Sequence, residues 1–315
     1  MAAPHDNAEA DPLVVIFAGP NGSGKTSLID ELKVTGIATM RGTVRLPTRF
    51  INPDQLAKDL QDEYVDQDAR DEAAQRAAMR ARAEAIAARE SFAFETVMSH
   101  PSRISEMLLL KEQGYHVFLV FISTDDPEMN VARVTFRYQS GSTTGHYVKP
   151  EKVRERFHRT LALLPRAAEV ADAVYIYDNS VEDKSATLQA VIERDAQFSV
   201  LPDAREWTML RLVNVLRERE RELDRLLAAL EKSGYLCGDT DELRGTYSGA
   251  VLSSTDFFLA QYDGATRQAV IHDRLMLETA HHRPGQPAFT YAVGDHLTIT
   301  YTPDGAPMTA RQSAA

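Results

Sequence analysis

The chain has 315 residues, of which 43% are hydrophobic and 26% are charged, and its formal net charge is −11. These proportions are typical of a folded protein with one large and one smaller domain. The negative charge argues against nucleic acid as the main partner, because such binding relies on Lys and Arg meeting phosphates. Cys237 is the only cysteine, which excludes an intrachain disulfide and fits a reducing cytoplasm. No apolar run approaches the about 20 residues of a membrane span, so we expect a cytoplasmic protein with no membrane partner.

Apolar runs that resemble strands alternate with helical segments after a flexible tail at 1–12. The predicted strands are residues 13–18, 48–52, 91–96, 115–123 and 173–178, and the predicted helices begin at Lys25 and Pro53 and cover 66–90, 102–113, 127–139 and 150–165. Strands that are apolar throughout are buried on both faces of a parallel sheet. The pattern therefore predicts a doubly wound α/β domain over 13–200.

The pattern changes beyond residue 200. A charged, amphipathic connecting helix is predicted over 203–233, with Met209, Leu216, Leu223 and Leu230 spaced seven apart. Because Arg219 and Glu220 interrupt this apolar row, a long free coiled coil is disfavoured. Docking on the same chain and self-association both stay open. Short alternating runs then predict a small β-rich domain over 240–304, followed by a flexible tail at 305–315.

A glycine-rich segment directly follows the first predicted strand. Gly19, Gly24, Lys25 and Thr26 have the spacing of a loop whose backbone N–H groups surround phosphates before a helix begins. Lys25 would reach the terminal phosphates of ATP, and the Thr26 hydroxyl would bind Mg²⁺. The predicted ATP-binding residues are Gly19, Asn21, Gly22, Ser23, Gly24, Lys25, Thr26 and Ser27.

Polar residues follow the next predicted strands, where ligands bind in a doubly wound sheet. Asn52 and Pro53 form a helix start, and Asp54 in the first turn either complements the helix dipole or acts as a base. Glu95 and Thr96 end a buried strand, so that Glu95 either faces a substrate or a metal-bound water, or caps the next helix.

Acidic and basic groups also accompany the later strands. The segment Asp125-Asp126-Pro127 resembles a metal-binding acid but fits a helix cap better. Arg133 and Arg137 share one helix face, and Arg154, Arg156 and Arg159 follow a Gly/Ser/Thr-rich stretch. A mobile loop over 139–150 flanked by arginines suits a lid that closes over a transferring phosphoryl group.

Taken in order, these segments resemble the zeta-toxin-like kinases over about residues 13–180. The resemblance rests on FAGPNGSGKTSL, FINPDQLA, SFAFETVMS, GYHVFLVFI, VARVTFRY, TGHYVKPEKVRERFHRTLALL and ADAVYIYDNS. It implies a P-loop kinase that transfers the ATP γ-phosphate, with Mg²⁺, to the 3′-hydroxyl of the sugar in UDP-N-acetylglucosamine or a related UDP-sugar. It further implies that Asp54 is the base, that Glu95, Thr96 and Arg156 face the substrate, and that Lys25, Arg133 and Arg137 contact phosphate.

The family also implies a toxin of a toxin–antitoxin system, with an antitoxin protein as partner. The C-terminal piece resembles the small KfrB-type domain of plasmid-encoded proteins. His272 and Asp273 lie in it, and we expect them to be structural because adjacent strand residues point to opposite faces. Two alternatives stay open: a kinase for another nucleotide or dinucleotide acceptor, and an ATP-dependent interaction protein for plasmid maintenance.

Overall fold

The computed structural model describes residues 11–60, 66–140, 148–194, 198–281, 289–303 and 305–312. Its larger sheet has seven strands in the order β4-β5-β1-β6-β7-β8-β9, next to a small hairpin of β2 and β3. The strands are β1 Leu13–Ala18, β2 Ile37–Thr39, β3 Gly42–Val44, β4 Arg49–Ile51, β5 Phe92–Thr96, β6 His116–Ser123, β7 Ala173–Asp178, β8 Thr187–Glu193 and β9 Phe198–Val200.

The five strands β4, β5, β1, β6 and β7 are parallel. Successive side chains of β1 point to opposite faces, and each face is buried in its own core: Val14 and Ile16 in one, Val15 and Phe17 in the other. The prediction of a doubly wound sheet is therefore confirmed. The helices of this part are α1 Lys25–Thr35, α2 Pro53–Asp59, α3 Gln67–Ala87, α4 Ser102–Glu112, α5 Pro127–Gln139 and α6 Pro150–Val170.

Two strands extend this sheet in a way that the sequence did not predict. Strand β8 pairs antiparallel with β7, and β9 pairs antiparallel with β8. Much of β8 and all of β9 are only half-buried, so neither contains the continuous apolar run by which the parallel strands were recognised. Edge strands of this kind are weakly marked in a sequence.

The C-terminal part contains a helix of three consecutive segments and a second sheet. The helix starts as α7 Glu206–Thr208, widens to a π-helix over Met209–Val213 and continues as α8 Asn214–Lys232. The second sheet has the order β10-β13-β12-β11-β14-β15. Its elements are β10 Cys237–Gly238, β11 Thr246–Ser254, β12 Phe258–Asp263, β13 Gln268–Asp273, α9 Arg274–His281, β14 His296–Thr300 and β15 Met308–Arg311. Since β15 pairs with β14, assigning all of 305–315 to a flexible tail was wrong.

The long helix contributes to two hydrophobic cores rather than one. Trp207 and Leu212 belong to a core of the large sheet, and Leu216 packs against it. Leu226 and Leu230 belong to a core of the second sheet. Of the predicted apolar row, Leu216 therefore packs on the first core, and Leu223 and Leu230 pack on the second. Met209 belongs to neither core.

Arg219 lies between these halves and is 1% exposed. It contacts Glu169 at the end of α6, with Nε–Oε1 at 2.7 Å and Nη2–Oε2 at 2.9 Å, and its Nη2 is 2.5 Å from Asp273 Oδ2 at the end of β13. The expectation that Arg219 only interrupts the apolar row was therefore incomplete: the charge is buried because both neighbouring units supply a carboxylate to it. A second bidentate pair, Arg166 with Glu242 at 2.7 Å, joins the same two units.

Candidate active site

The phosphate loop, residues 19–26, joins β1 to α1. Gly22 and Gly24 have φ of 77° and 97°, a region that side chains other than glycine rarely occupy. A Cβ on Gly22 would lie 2.6 Å from the Asn130 carbonyl oxygen, and one on Gly24 would lie 2.2 Å from Asn179 Nδ2. The helix begins with no side-chain cap, so its first N–H groups are directed at the space above the loop, as in anion sites at helix N-termini.

Two asparagines outside the loop hold its backbone. Asn130 of α5 is fully buried and donates from Nδ2 to the Asn21 carbonyl at 2.7 Å. Asn179, directly after β7, donates from Nδ2 to the Ser23 carbonyl at 2.9 Å. Sequence reasoning missed both residues, although Asn179 follows a predicted strand at the edge where ligands bind. Their contacts fix the loop conformation from two neighbouring elements.

A cleft of about 1690 Å³ opens over this loop. It is lined by residues from the loop, from the ends of β4 and β5, from α3 to α6, and from the segment after β7. Among the predicted site residues, the lining includes Asn21, Gly22, Gly24, Lys25, Thr26, Ser27, Glu95, Thr96, Arg133, Arg137 and Arg156. Gly19 and Ser23 are buried within the loop and do not line the cleft. The side chain of Lys25 reaches back over the loop, with Nζ 2.9 Å from the Gly19 carbonyl and 3.0 Å from that of Pro20.

Three arginines face the loop from α5 and α6. The Nη1 of Arg133 and the Nε of Arg137 are buried and have no hydrogen-bond partner within the described part of the chain. Arg156 Nη1 lies 3.5 Å from Asn21 Oδ1. Buried guanidinium nitrogens without a partner are costly, so an anionic ligand in the cleft would satisfy them.

The other arginines of this region pair with acids instead. Arg154 makes a bidentate contact with Glu128 at 2.6 and 2.8 Å, and Arg159 pairs with Glu155 at 2.8 Å. The proposed lid over 139–150 falls largely on residues 141–147, which lie outside the described residues.

The opposite side of the cleft is built from α2 and the end of β5. Helix α2 begins at Pro53 as predicted, and Asn52 and Gln55 line the cleft. Asp54 lies in the first turn of α2, but its side chain is outside the described residues, so both interpretations of this carboxylate stay open. Helix α4 has no side-chain cap, which argues against the interpretation of Glu95 as a cap.

The short connection from β5 to α4 has an unusual backbone. Met98 is 1% exposed and has φ of 55°, and its N–H donates to Thr96 Oγ1 at 3.1 Å. The Thr96 carbonyl in turn accepts from Gly19 N at 3.3 Å. Left-handed backbone at a residue with a long side chain is held only where the surroundings require it, and such positions cluster at ligand sites.

The acidic segment before α5 forms a helix cap, as expected. Asp126 Oδ1 accepts from the Glu128 N–H at 2.8 Å, and Pro127 is the first helical residue. Asp125 is exposed, and its Oδ2 lies 3.9 Å from Arg205 Nη1. The metal-binding interpretation of Asp125 therefore has no support in this geometry.

The sequence model of the zeta toxin family matches residues 3–188, more than half of the 315-residue chain. The chain belongs to the zeta toxin family. It is similar in structure to a complex of AvrRxo1-ORF1 and AvrRxo1-ORF2 with ATP, at 18% identity and a TM-score of 0.47 over 62% of either chain. It is also similar to the PezAT chromosomal toxin–antitoxin system of Streptococcus pneumoniae, at 16% identity and a TM-score of 0.43 over 68% of this chain and 88% of that chain.

One curated relative, an uncharacterized protein of Haemophilus influenzae, is 35% identical over 66 residues. The match covers 21% of this chain and 45% of that protein. The chain therefore spans less than half of this relative's length. The zeta toxin match itself stops within β8, so α7, α8, α9 and the second sheet lie beyond it. None of the described helices has both the length and the apolar character of a membrane span.

Beyond the zeta toxin match, His272 and Asp273 are both buried and serve different networks. The Gln261 amide donates from Nε2 to the carbonyls of Gly249 and Leu297, so its Oε1 accepts from His272 Nε2 at 3.1 Å. His272 Nδ1 then accepts from the Tyr301 hydroxyl at 2.9 Å. Burial lowers the pKa of His272 to about 3. With Asp273 paired to Arg219 instead, the two residues form no catalytic pair, as expected.

Proposed function

We propose that this member of the zeta toxin family is a kinase that transfers the terminal phosphate of ATP to a hydroxyl group of a small molecule. The size and lining of the cleft carry the proposal. At about 1690 Å³, the cleft exceeds the roughly 300–1,000 Å³ that usually holds one small ligand. A hydrolase needs room for only the nucleotide and a water molecule, so a cleft with a second polar side favours a kinase.

The phosphate loop would hold the nucleotide. Backbone N–H groups of residues 21–25 and the N-terminus of α1 would bind the phosphates, and Lys25 Nζ would exchange its two carbonyl contacts for phosphate oxygens. Thr26 is an exposed residue at the start of α1, and its hydroxyl is of the kind that binds Mg²⁺ in such loops. The described residues contain no cluster of three acidic, His or Cys side chains around a metal, which fits an ion that takes most of its ligands from phosphate and water. When bound, Mg²⁺ would neutralise part of the negative charge of the phosphates.

The transfer would occur between the loop and the β5 side of the cleft. Asp54 would accept the proton of the attacking hydroxyl, while Glu95 and Thr96 would hold the acceptor. Arg133, Arg137 and Arg156 would stabilise the charge on the transferring group. The support for this role is that buried nitrogens of Arg133 and Arg137 lack partners in the described structure and line the same cleft.

For the acceptor, we propose the sugar hydroxyl of UDP-N-acetylglucosamine or a related UDP-sugar, by analogy with active members of the zeta toxin family. The same analogy supports a toxin that acts in the cytoplasm and is neutralised by an antitoxin protein. Another nucleotide or dinucleotide acceptor is the nearest rival.

The test is transfer of label from γ-labelled ATP to a panel of UDP-sugars, nucleotides and dinucleotides, with mass spectrometry of metabolites from expressing cells. Asp54→Asn is the informative variant. Asp59→Asn is its matched control, because Asp59 lies on the same helix, is exposed and accepts a local hydrogen bond from Gln55 at 3.1 Å. We expect one phosphorylated acceptor that disappears in Asp54→Asn and persists in Asp59→Asn. Release of inorganic phosphate with no labelled acceptor, or a nucleotide-dependent protein partner without turnover, would contradict the kinase.

A further inference from the structure

Several hydrogen bonds converge on the carboxylate of Asp178, the last residue of β7. This side chain is 1% exposed. The Ser180 N–H donates to Oδ1 at 3.0 Å, and the Ser180 hydroxyl donates to Oδ2 at 2.6 Å. Trp207 donates from Nε1 to Oδ2 at 2.7 Å, and Arg205 Nε lies 3.5 Å from Oδ1. Because a buried carboxylate without donors is costly, these contacts hold the turn over residues 178–180 in one arrangement.

Asn179 lies in the middle of this turn and contacts the phosphate loop. Its backbone N–H donates to the Ser123 carbonyl at 2.8 Å, and its Nδ2 donates to the Ser23 carbonyl at 2.9 Å. In a trans peptide the carbonyl and the following N–H point to opposite sides, so the second contact also sets the direction of the Gly24 N–H. That N–H is one of the groups proposed to bind phosphate. The position of the turn therefore affects the geometry of the nucleotide site.

Trp207 connects this turn to the part of the chain beyond the zeta toxin match. The match ends at residue 188, whereas Trp207 lies in α7, at the start of a helical run that continues to Lys232. Its buried ring packs on Phe121 of β6, with the ring centres 6.4 Å apart. Trp207 is not among the described residues that line the cleft. Any effect of Trp207 on a nucleotide must therefore pass through other residues, and Asp178 and its neighbour Asn179 join it to the phosphate loop.

We propose that Trp207 is a positioning residue for the nucleotide. Its indole N–H holds Asp178, the turn that begins at Asp178 holds Asn179 against the phosphate loop, and the loop binds ATP as proposed above. The inference rests on the proposed nucleotide site, goes beyond it and is independent of the acceptor. The region beyond the family match thus contributes to nucleotide affinity from outside the cleft, without contact with the nucleotide.

The affinity of the full chain for a non-hydrolysable ATP analogue with Mg²⁺, measured by calorimetry, tests the inference. Trp207→Phe keeps an aromatic ring against Phe121 and removes the indole donor. We expect the dissociation constant for the analogue to rise by about 2- to 30-fold, the range for residues that act on a site through others. In turnover assays, the KM for ATP should rise and the KM for the acceptor should stay unchanged. An unchanged dissociation constant would overturn the inference.

Leu212→Val is the matched control for a loss of stability. Leu212 is fully buried on the same helical run and belongs to the same core as Trp207, and the change removes packing without removing a hydrogen bond. Circular dichroism in guanidinium chloride measures the stability of both variants, because Trp207→Phe lacks the single tryptophan of the chain. We expect Leu212→Val to bind the analogue as the wild type does. Equal weakening in both variants would assign the effect to stability and refute the positioning role.

A double-mutant cycle with Asn179→Ala tests whether Trp207 acts through this turn. Asn179→Ala removes the contact with Ser23 directly and should weaken binding at least as much as Trp207→Phe. If Trp207 acts through Asn179, the double variant binds no more weakly than Asn179→Ala alone, whereas independent effects multiply. Multiplied effects would contradict the inference. A wild type that binds no nucleotide would overturn the proposed function together with this inference, whereas equal binding by the wild type and Trp207→Phe would overturn the positioning role alone.

Discussion

Replacement of Arg219 by Met should destabilise the whole chain. The guanidinium makes three charged hydrogen bonds, two to Glu169 and one to Asp273, and the Asp273 side chain is only 3% exposed. Removing one partner of a buried ion pair costs about 3–5 kcal/mol, and we expect the lower end of that range because Arg166 Nε stays 3.7 Å from Asp273 Oδ2 and Arg166 Nη1 stays 3.2 Å from Glu169 Oε2. Since a domain is stable by only about 5–15 kcal/mol, the loss is a large fraction of the total. Guanidinium chloride unfolding followed by the fluorescence of the single tryptophan, Trp207, measures it.

Two variants control this measurement. Arg225→Met removes an arginine of the same helix whose side chain is 67% exposed and pairs with Glu218 at 2.6 Å; an exposed pair of this kind is worth about 0–1 kcal/mol. In Arg219→Met/Asp273→Asn, the buried carboxylate that has lost its shorter ion pair is replaced by a neutral amide, so part of the lost stability should return. If the free energy of unfolding of Arg219→Met lies within about 1 kcal/mol of that of Arg225→Met, the reasoning is refuted, because the buried ion pairs of Arg219 would then stabilise the chain no more than an exposed pair.

The remaining predictions concern the cleft, the second sheet and the chain length. Lys25→Ala should abolish transfer from ATP, because it removes the cation of the phosphate loop; transfer at the wild-type rate would exclude that role. Asp54→Asn should lower kcat by about 10²- to 10⁴-fold with little change in ATP affinity; a loss of stability without loss of turnover would instead make Asp54 a helix-start residue. Because the pKa of His272 is about 3 in the folded chain and about 6.5 when unfolded, its contribution is present above pH 6.5 and is lost as pH falls toward 3, by about 1.4 kcal/mol per pH unit. In urea titrations at several pH values, His272→Gln should reduce the dependence of the free energy of unfolding on pH. An unchanged dependence would contradict the attribution of this pH effect to His272. A chain ending near residue 200 loses Trp207, which is 7% exposed, so we expect it to unfold at lower denaturant than the full chain; equal midpoints would show that the two parts are independent.

Patterns in the local sequence were sufficient to predict much of the fold and part of the site. The phosphate loop was recognisable because the spacing of glycines, Lys25 and Thr26 reflects backbone conformations that few other residues adopt, as the φ of 97° at Gly24 illustrates. The cap at Asp126 and the helix start at Pro53 depend on neighbouring residues only. The parallel strands were recognisable because burial on both faces leaves a continuous apolar run.

Only the tertiary structure decided which polar side chains meet. Asn130 and Asn179 are far apart in the chain and ordinary in context, yet both donate to the phosphate loop. By periodicity, Arg219 is an interruption in an apolar row, but Glu169 and Asp273 come from 50 and 54 residues away and make its burial possible. The sequence by itself determined the elements that local conformation and hydrophobic pattern dictate, namely the phosphate loop, the helix starts and the buried strands. Contacts between distant segments decide which partner a buried charge has, and they also form the cleft of α3, α4, α5 and α6 around one loop. A hydrophobic pattern contains no information about which distant charges will compensate one another.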